Sequence, residues 1–224
     1  MKQKSIVLLL LWIVFLGPSI LWAKTLQNTV QTLHETYEKI NDMEADFSQA
    51  ITFEGFDTTS NSRGKVYFKR GQQESAGVLP LQGKMRWDYI VPTRDQIFIE
   101  SETVLHYTPE NKQVIRSVLG KQTGLPIDLF FNIEKMEALF NLSQIKENTV
   151  VLKPKEKGSQ LTKMVLTLAP LPKVGGLFIS QVVLHEENGN QSLFKFKNFR
   201  MNKRLSEQTF SFTLPEGVEI INLE

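Results

Sequence analysis

The sequence predicts a mainly β protein: one antiparallel sheet, strongly curved or partly closed, with a few helices to cover its hollow side. About ten short segments alternate apolar with polar residues, and turn residues punctuate them at regular spacing. No strand–helix–strand alternation is present, and no internal repeat or linker divides the chain. The stretch 84–99 supplies the third observation. It sets Met85, Trp87, Tyr89 and Val91 on one side of an extended chain, opposite Lys84, Arg86 and Asp88. Such an aromatic face serves either to pack a core or to line a cavity.

The chain opens with Lys2 and Lys4, an apolar run over 6–15, a break at Gly17-Pro18 and a small residue at Ala23. This is the pattern of a secretory signal peptide over 1–23, with cleavage expected after Ala23 and a single domain over 24–224. Leu21 is tolerable rather than ideal at the −3 position, so an uncleaved anchor is the alternative. Without Lys2 and Lys4 the remainder carries 24 basic and 24 acidic side chains. That neutrality argues against a nucleic-acid partner, whose phosphates call for a net basic face. The sequence has no cysteine, so it has no disulfide, no thiolate metal site and no residue for lipid attachment after a signal. A soluble product beyond the inner membrane is expected.

From residue 25, Leu26, Val30, Leu33, Tyr37 and Ile40 form one apolar stripe on a helix of about four turns. His34 and Glu38 lie one turn apart on it, a spacing that suits a solvated pair better than two metal ligands lacking a third. Ala45, Phe47, Gln49, Ile51 and Phe53 then alternate with polar residues in a first strand. Val66 and Phe68, between Gly64 and Gly71, make a second strand, joined to the first through the polar stretch 57–63. Residues 71–82 read as a long exposed hairpin loop.

After the central strand come strands at 96–99, 104–107 and 113–118, separated by turns at 101–103 and 108–112. The segment 123–132 is too apolar for a loop and too rich in Pro and Gly for a strand. Ile133, Met136, Leu139 and Phe140 have helical spacing, so two short helices near 125–140 are expected to interrupt the sheet. Strands resume at 149–153, 163–168, 177–185, 191–199 and 210–214, with Asn188-Gly189 as the clearest hairpin turn. Phe194, Phe196 and Asn198 are expected on one face of the strand 191–199, and Lys195 and Lys197 on the other.

Catalytic patterns fail one by one. No serine occupies a G-x-S-x-G elbow. His34, His106 and His185 fall on a helix, a strand and a hairpin without metal-binding spacing, Gly175-Gly176 is an isolated pair, and Glu186-Glu187 adjoins a turn. No catalytic residue, metal or cofactor is expected. What remains is excess apolar surface: the helices either plug a core or form a movable lid over an apolar cavity.

These residues resemble the LolA family of periplasmic lipoprotein carriers over nearly the whole chain after residue 24. The likeness rests on Ala45-Asp46-Phe47-Ser48-Gln49 after the amphipathic helix, on Gly64-Lys65-Val66-Tyr67-Phe68-Lys69-Arg70 and on Gly83-Lys84-Met85-Arg86-Trp87-Asp88-Tyr89. The Pro92 turn, the Tyr107-Thr108-Pro109 turn and Phe210-Ser211-Phe212-Thr213-Leu214-Pro215 complete it. The resemblance implies an unclosed antiparallel β-barrel with a lid of about three α-helices over a hydrophobic cavity. It implies a monomer that takes triacylated lipoproteins from an inner-membrane ABC transporter and passes them to the outer-membrane receptor LolB. A periplasmic lipid- or lipoprotein-sensing domain of a stress-signalling system shares that fold and is the alternative.

By the same resemblance Phe47, Phe68, Trp87, Tyr89 and Phe98 would line the cavity, and Leu129, Phe130, Phe131 and Leu139 would belong to the lid. Arg70 would be the latch that holds the lid shut, although Gly71 stands where the family has proline. Strand phase decides each wall assignment, because a one-residue slip moves a side chain to the other face.

Overall fold

The computed structural model describes residues 19–56, 58–71, 83–118, 133, 136–171 and 175–223. Helix α1, Ser19–Glu38, begins upstream of the expected start at residue 25. It ends before Ile40, where the amides of Lys39 and Ile40 turn back to the carbonyls of Thr36 and Tyr37 in a tightened last turn. Leu33, Tyr37 and Ile40 are buried as the stripe requires, and His34 pairs with Glu38 at 3.6 Å on the outer side.

Strands β1 (Asp42–Thr52), β2 (Thr59–Lys69), β3 (Lys84–Val91), β4 (Gln96–Glu100), β5 (Thr103–Thr108) and β6 (Gln113–Val118) form an antiparallel meander. A four-residue helix α2 (Met136–Leu139) leads into β7 (Phe140–Lys146), β8 (Thr149–Pro154), β9 (Leu161–Pro170), β10 (Leu177–Glu186) and β11 (Gln191–Met201). β1 pairs with β11 to join the two meanders. A 3₁₀ turn at Glu207–Phe210 and strand β12 (Glu219–Asn222) follow. All twelve strands form one sheet in the order β12-β6-β5-β4-β3-β2-β1-β11-β10-β9-β8-β7. Its ends, β12 and β7, do not pair with each other, so the barrel is unclosed.

The structure corrects several expectations. The β1–β2 loop is shorter than 57–63, because Thr59 to Arg63 pair with Ser48 to Thr52. Residues 140–146 form a strand rather than the end of a helix. The segment 210–214 is the close of a 3₁₀ turn and an extended tail, not a strand. β12 lies parallel to β6, so the sheet is not wholly antiparallel. Asn198 departs from its alternation through a bulge: its φ is 56°, and its amide donates to Asp46 Oδ2 at 2.7 Å. The expected loop over 72–82 and the apolar segment 123–132 fall outside the described residues.

Each face of the sheet has its own cover. The inner face packs against Leu33, Tyr37 and Ile40 of α1 and against Ile133 and Met136. On the outer face of β3–β6 lies the C-terminal tail, whose Phe212 ring is 5.2 Å from Phe98 and 5.5 Å from Tyr107. The Arg86 guanidinium donates to the Thr209 carbonyl at 3.0 Å and sits 5.1 Å over the Phe98 ring. Polar ties fix the route of the tail: Asp42 is buried, and its carboxylate accepts from the Lys203 and Arg204 amides at 2.8 and 2.9 Å.

Hydrogen bonds from Lys69 and Lys84 hold the Glu207 carboxyl below the usual carboxylate range. A depressed folded pKa means stability present above the unfolded value and lost as pH falls through the folded one. We therefore expect Glu207→Gln to lower the urea midpoint at pH 7 and to match the parent as pH drops well below about 4. An equal deficit at every pH would show that the carboxylate's charge contributes nothing there.

Candidate functional site

The inner face is an apolar wall with aromatic rings at its centre. Period-two alternation in β1, β2 and β3 sends Phe47, Phe68, Met85 and Trp87 inward, and all four are buried. Cross-strand register places Gly64 between Phe47 and Tyr89. A Cβ on Gly64 would stand 2.0 Å from the Asp88 carbonyl oxygen and 2.8 Å from Phe47 Cε1, so only glycine leaves room for that ring. The Phe47 ring meets Trp87 edge-on at 4.9 Å and Tyr89 at 5.0 Å. From β11, Phe194 and Phe196 close on Trp87 at 5.8 and 6.1 Å. Val150, Leu152, Met164, Leu166 and Val182 extend the same surface across β8–β10.

Two polar features interrupt this wall. The Tyr89 hydroxyl donates to Gln49 Oε1 at 2.9 Å, and burial, with the nearby Asp95 charge, pushes its pKa well up. The indole Nε1 of Trp87 is buried, with no hydrogen-bond partner among the described residues. Near the rim, His106 and Asp95 pair at 2.9 Å. The residues in each pair stand far apart in sequence, and neither pairing is marked by a local motif.

Four of the five expected wall residues, Phe47, Phe68, Trp87 and Tyr89, share the inner face. Phe98 does not. It pairs opposite Arg86, while its neighbours Ile97 and Ile99 face inward opposite Trp87 and Met85. Choosing the aromatic residue in Gln96-Ile97-Phe98-Ile99 put the strand one residue out of phase; Phe98 belongs to the outer cluster under the tail.

Leu129, Phe130 and Phe131 lie outside the described residues. Leu139 is 46% exposed, and the inward positions near it are Ile133 and Met136, about two turns and one turn earlier in the helical pattern.

Arg70 follows the last residue of β2, beside the C-terminal end of α1. Its Nε donates to the Ile40 carbonyl at 3.1 Å, its Nη2 to the Tyr37 carbonyl, and its own amide to the Asn41 carbonyl at 2.8 Å. A guanidinium there gives the Ile40 carbonyl a donor, gives the Tyr37 carbonyl a second one beside the Ile40 amide, and faces the negative end of the helix dipole. The residue thus clasps α1 to the strand. α1 in turn carries Leu33 and Tyr37 over the inner face.

A surface hollow of about 730 Å³ lies elsewhere, among polar hairpin ends that include Glu54, Lys153, Lys163 and His185. Burial and the charge of Lys163 lower the pKa of His185 there. Among the described residues no helix is long and apolar enough to cross a membrane, and no cluster of three His, Asp or Glu side chains could hold a metal ion.

A family model described as "Outer membrane lipoprotein carrier protein LolA" matches residues 38–213. A protein named outer-membrane lipoprotein carrier protein from Helicobacter hepaticus is 26% identical over 193 residues, covering 86% of this chain and 89% of the relative. One of the same name from Nitrosomonas europaea is 25% identical over 215 residues, covering 95% and 98%. The crystal structure of a DUF1329 family protein from Desulfovibrio piger shares the fold, with a TM-score of 0.54 at 12% identity over 85% of this chain and 97% of that one.

Proposed function

The chain belongs to the LolA family of outer membrane lipoprotein carrier proteins, and from that premise we propose that it is a periplasmic carrier. In this reading it receives the acyl chains of triacylated lipoproteins at the inner membrane and delivers them to the outer membrane. The observation that carries the proposal is the continuous apolar inner face, with Phe47, Trp87 and Tyr89 at its centre and α1 clasped over it by Arg70. An inner-membrane ABC transporter would load the carrier and a LolB receptor would unload it. A signal peptide over 1–23 would bring it to the periplasm. No step of this reading is a chemical reaction, and we assign no catalytic role to His106–Asp95 or to Tyr89–Gln49.

The magnitudes suit the task. An acyl chain of about 14 methylenes gains on the order of 11 kcal/mol gross on leaving water, at ~0.8 per methylene. Exposed ion pairs contribute ~0–1 kcal/mol each. Affinity therefore comes from the wall, and the clasp governs when the wall is reachable. In the described conformation Trp87 is 0% exposed, so a ligand reaches it only once the inner face opens.

Native mass spectrometry on protein purified from a periplasm without detergent tests the reading. A co-purified triacylated lipoprotein is the expected result. A bare protein that also fails to take up a fluorescent fatty acid would overturn it and leave the inner face as a plain core.

A further inference from the structure

Trp87 is the one tryptophan after residue 22, and its side chain is 0% exposed. Its surroundings are the rings of Phe47, Phe194 and Phe196 at 4.9, 5.8 and 6.1 Å. Indole is a donor only, and Nε1 is buried without an acceptor among the described residues. Buried polar groups in native proteins are overwhelmingly hydrogen-bonded, and a donor left without a partner is a standing cost. Phenylalanine at this position would fill much of the same space without that cost. Two residues along the same strand face, the Tyr89 hydroxyl has the acceptor it needs in Gln49 Oε1. Among the described residues the wall therefore supplies an acceptor at Tyr89 and none at Trp87.

We propose that the Trp87 N–H is a ligand-binding donor that donates to the carbonyl oxygen of an ester- or amide-linked acyl chain when the inner face opens. The inference rests on the carrier reading and deepens it: the inner face discriminates acyl carbonyl compounds from hydrocarbon chains of the same length. A bare alkyl chain fills the wall and leaves the indole unpaired, whereas an acyl chain fills it and removes the penalty. The apolar area sets affinity for both, and the single N–H sets the difference between them.

The test uses two probes that differ in one carbonyl, 1-lauroyl lysophosphatidylcholine and its 1-dodecyl ether analogue, both below their micelle concentrations. Calorimetric titration of the wild-type protein is expected to show the ester binding about 3- to 10-fold more tightly, the net worth of one neutral hydrogen bond. In Trp87→Phe the ester's advantage over the ether should disappear, whatever happens to the affinity the two probes share. The indole ¹H–¹⁵N resonance, assigned through its contacts with Phe47 and Phe194, should move downfield with the ester and not with the ether. That measurement stands even where the variant does not fold. Equal binding of both probes to the wild type, or an indole resonance that ignores the carbonyl, overturns the inference and leaves the carrier reading intact. Failure of both probes to bind overturns the carrier reading itself, and this inference falls with it.

Discussion

Phe47→Ala is expected to lower folding stability by about 3–5 kcal/mol, the range for removing a buried aromatic side chain. The upper end of that range is expected here for a structural reason. The ring lies over Gly64, a strand position with no side chain that could collapse into the space, and it makes edge contacts with Trp87 and Tyr89 that vanish together. For a domain whose total stability is on the order of 5–15 kcal/mol, this is a large fraction. Urea denaturation followed by circular dichroism measures the loss. Phe53→Ala is the control: it removes an exposed phenylalanine from the same sequence alternation and should cost no more than about 0.5 kcal/mol. Equal costs for the two would mean that the inner face is not packed around Phe47.

The contrast between Phe47 and Phe53 marks where the sequence was readable. Where a strand runs long and strictly alternates, as in Met85-Arg86-Trp87-Asp88-Tyr89, periodicity alone identified the buried face. The pattern failed where it was short or locally broken. Gln96-Ile97-Phe98-Ile99 has apolar residues on both faces, because the inner core and the C-terminal tail bury one side each. Nothing within four residues reveals that the tail will come to lie there. Gly64 suggested the edge of a strand, since glycine is depleted in strand interiors. Its position inside β2 is set by the Phe47 ring, a partner on another strand.

The helical lid was legible only in part. Ile133, Met136, Leu139 and Phe140 share a helical spacing, yet α2 stops at Leu139 and the chain enters β7, where Phe140 turns inward by strand alternation instead. Four residues do not distinguish periods of 3.6 and 2. Arg70 was reached through family resemblance, and the structure supplies its contacts: two carbonyls at the end of α1. A capping arginine more than 30 residues beyond the helix it caps leaves no local signature.

Arg70→Leu is expected to bind acyl ligands more tightly and to release them more slowly, while the fold survives. The sign follows from the equilibrium. The guanidinium contacts exist only while α1 is seated, so they stabilise the closed, empty form. The apparent dissociation constant is the intrinsic one divided by the open fraction, and loosening the clasp raises that fraction. Two hydrogen bonds from a charged donor would be worth ~1.5–3 kcal/mol each when fully buried. Arg70 is solvent-exposed, which brings the pair down to about 1–2 kcal/mol, or roughly a 5- to 30-fold shift in affinity. Titration with a fluorescent fatty acid reads the affinity, and transfer to acceptor vesicles reads the release. Amide exchange along α1 should accelerate by a similar factor in the empty protein. Arg70→Lys keeps the charge but loses the forked geometry that reaches both carbonyls, and should fall between the two. Weaker binding in Arg70→Leu would mean that the arginine supports the loaded form instead. A lipid carrier has to let go of a ligand whose transfer free energy far exceeds any single contact, and a clasp that favours the empty state lowers the cost of that last step.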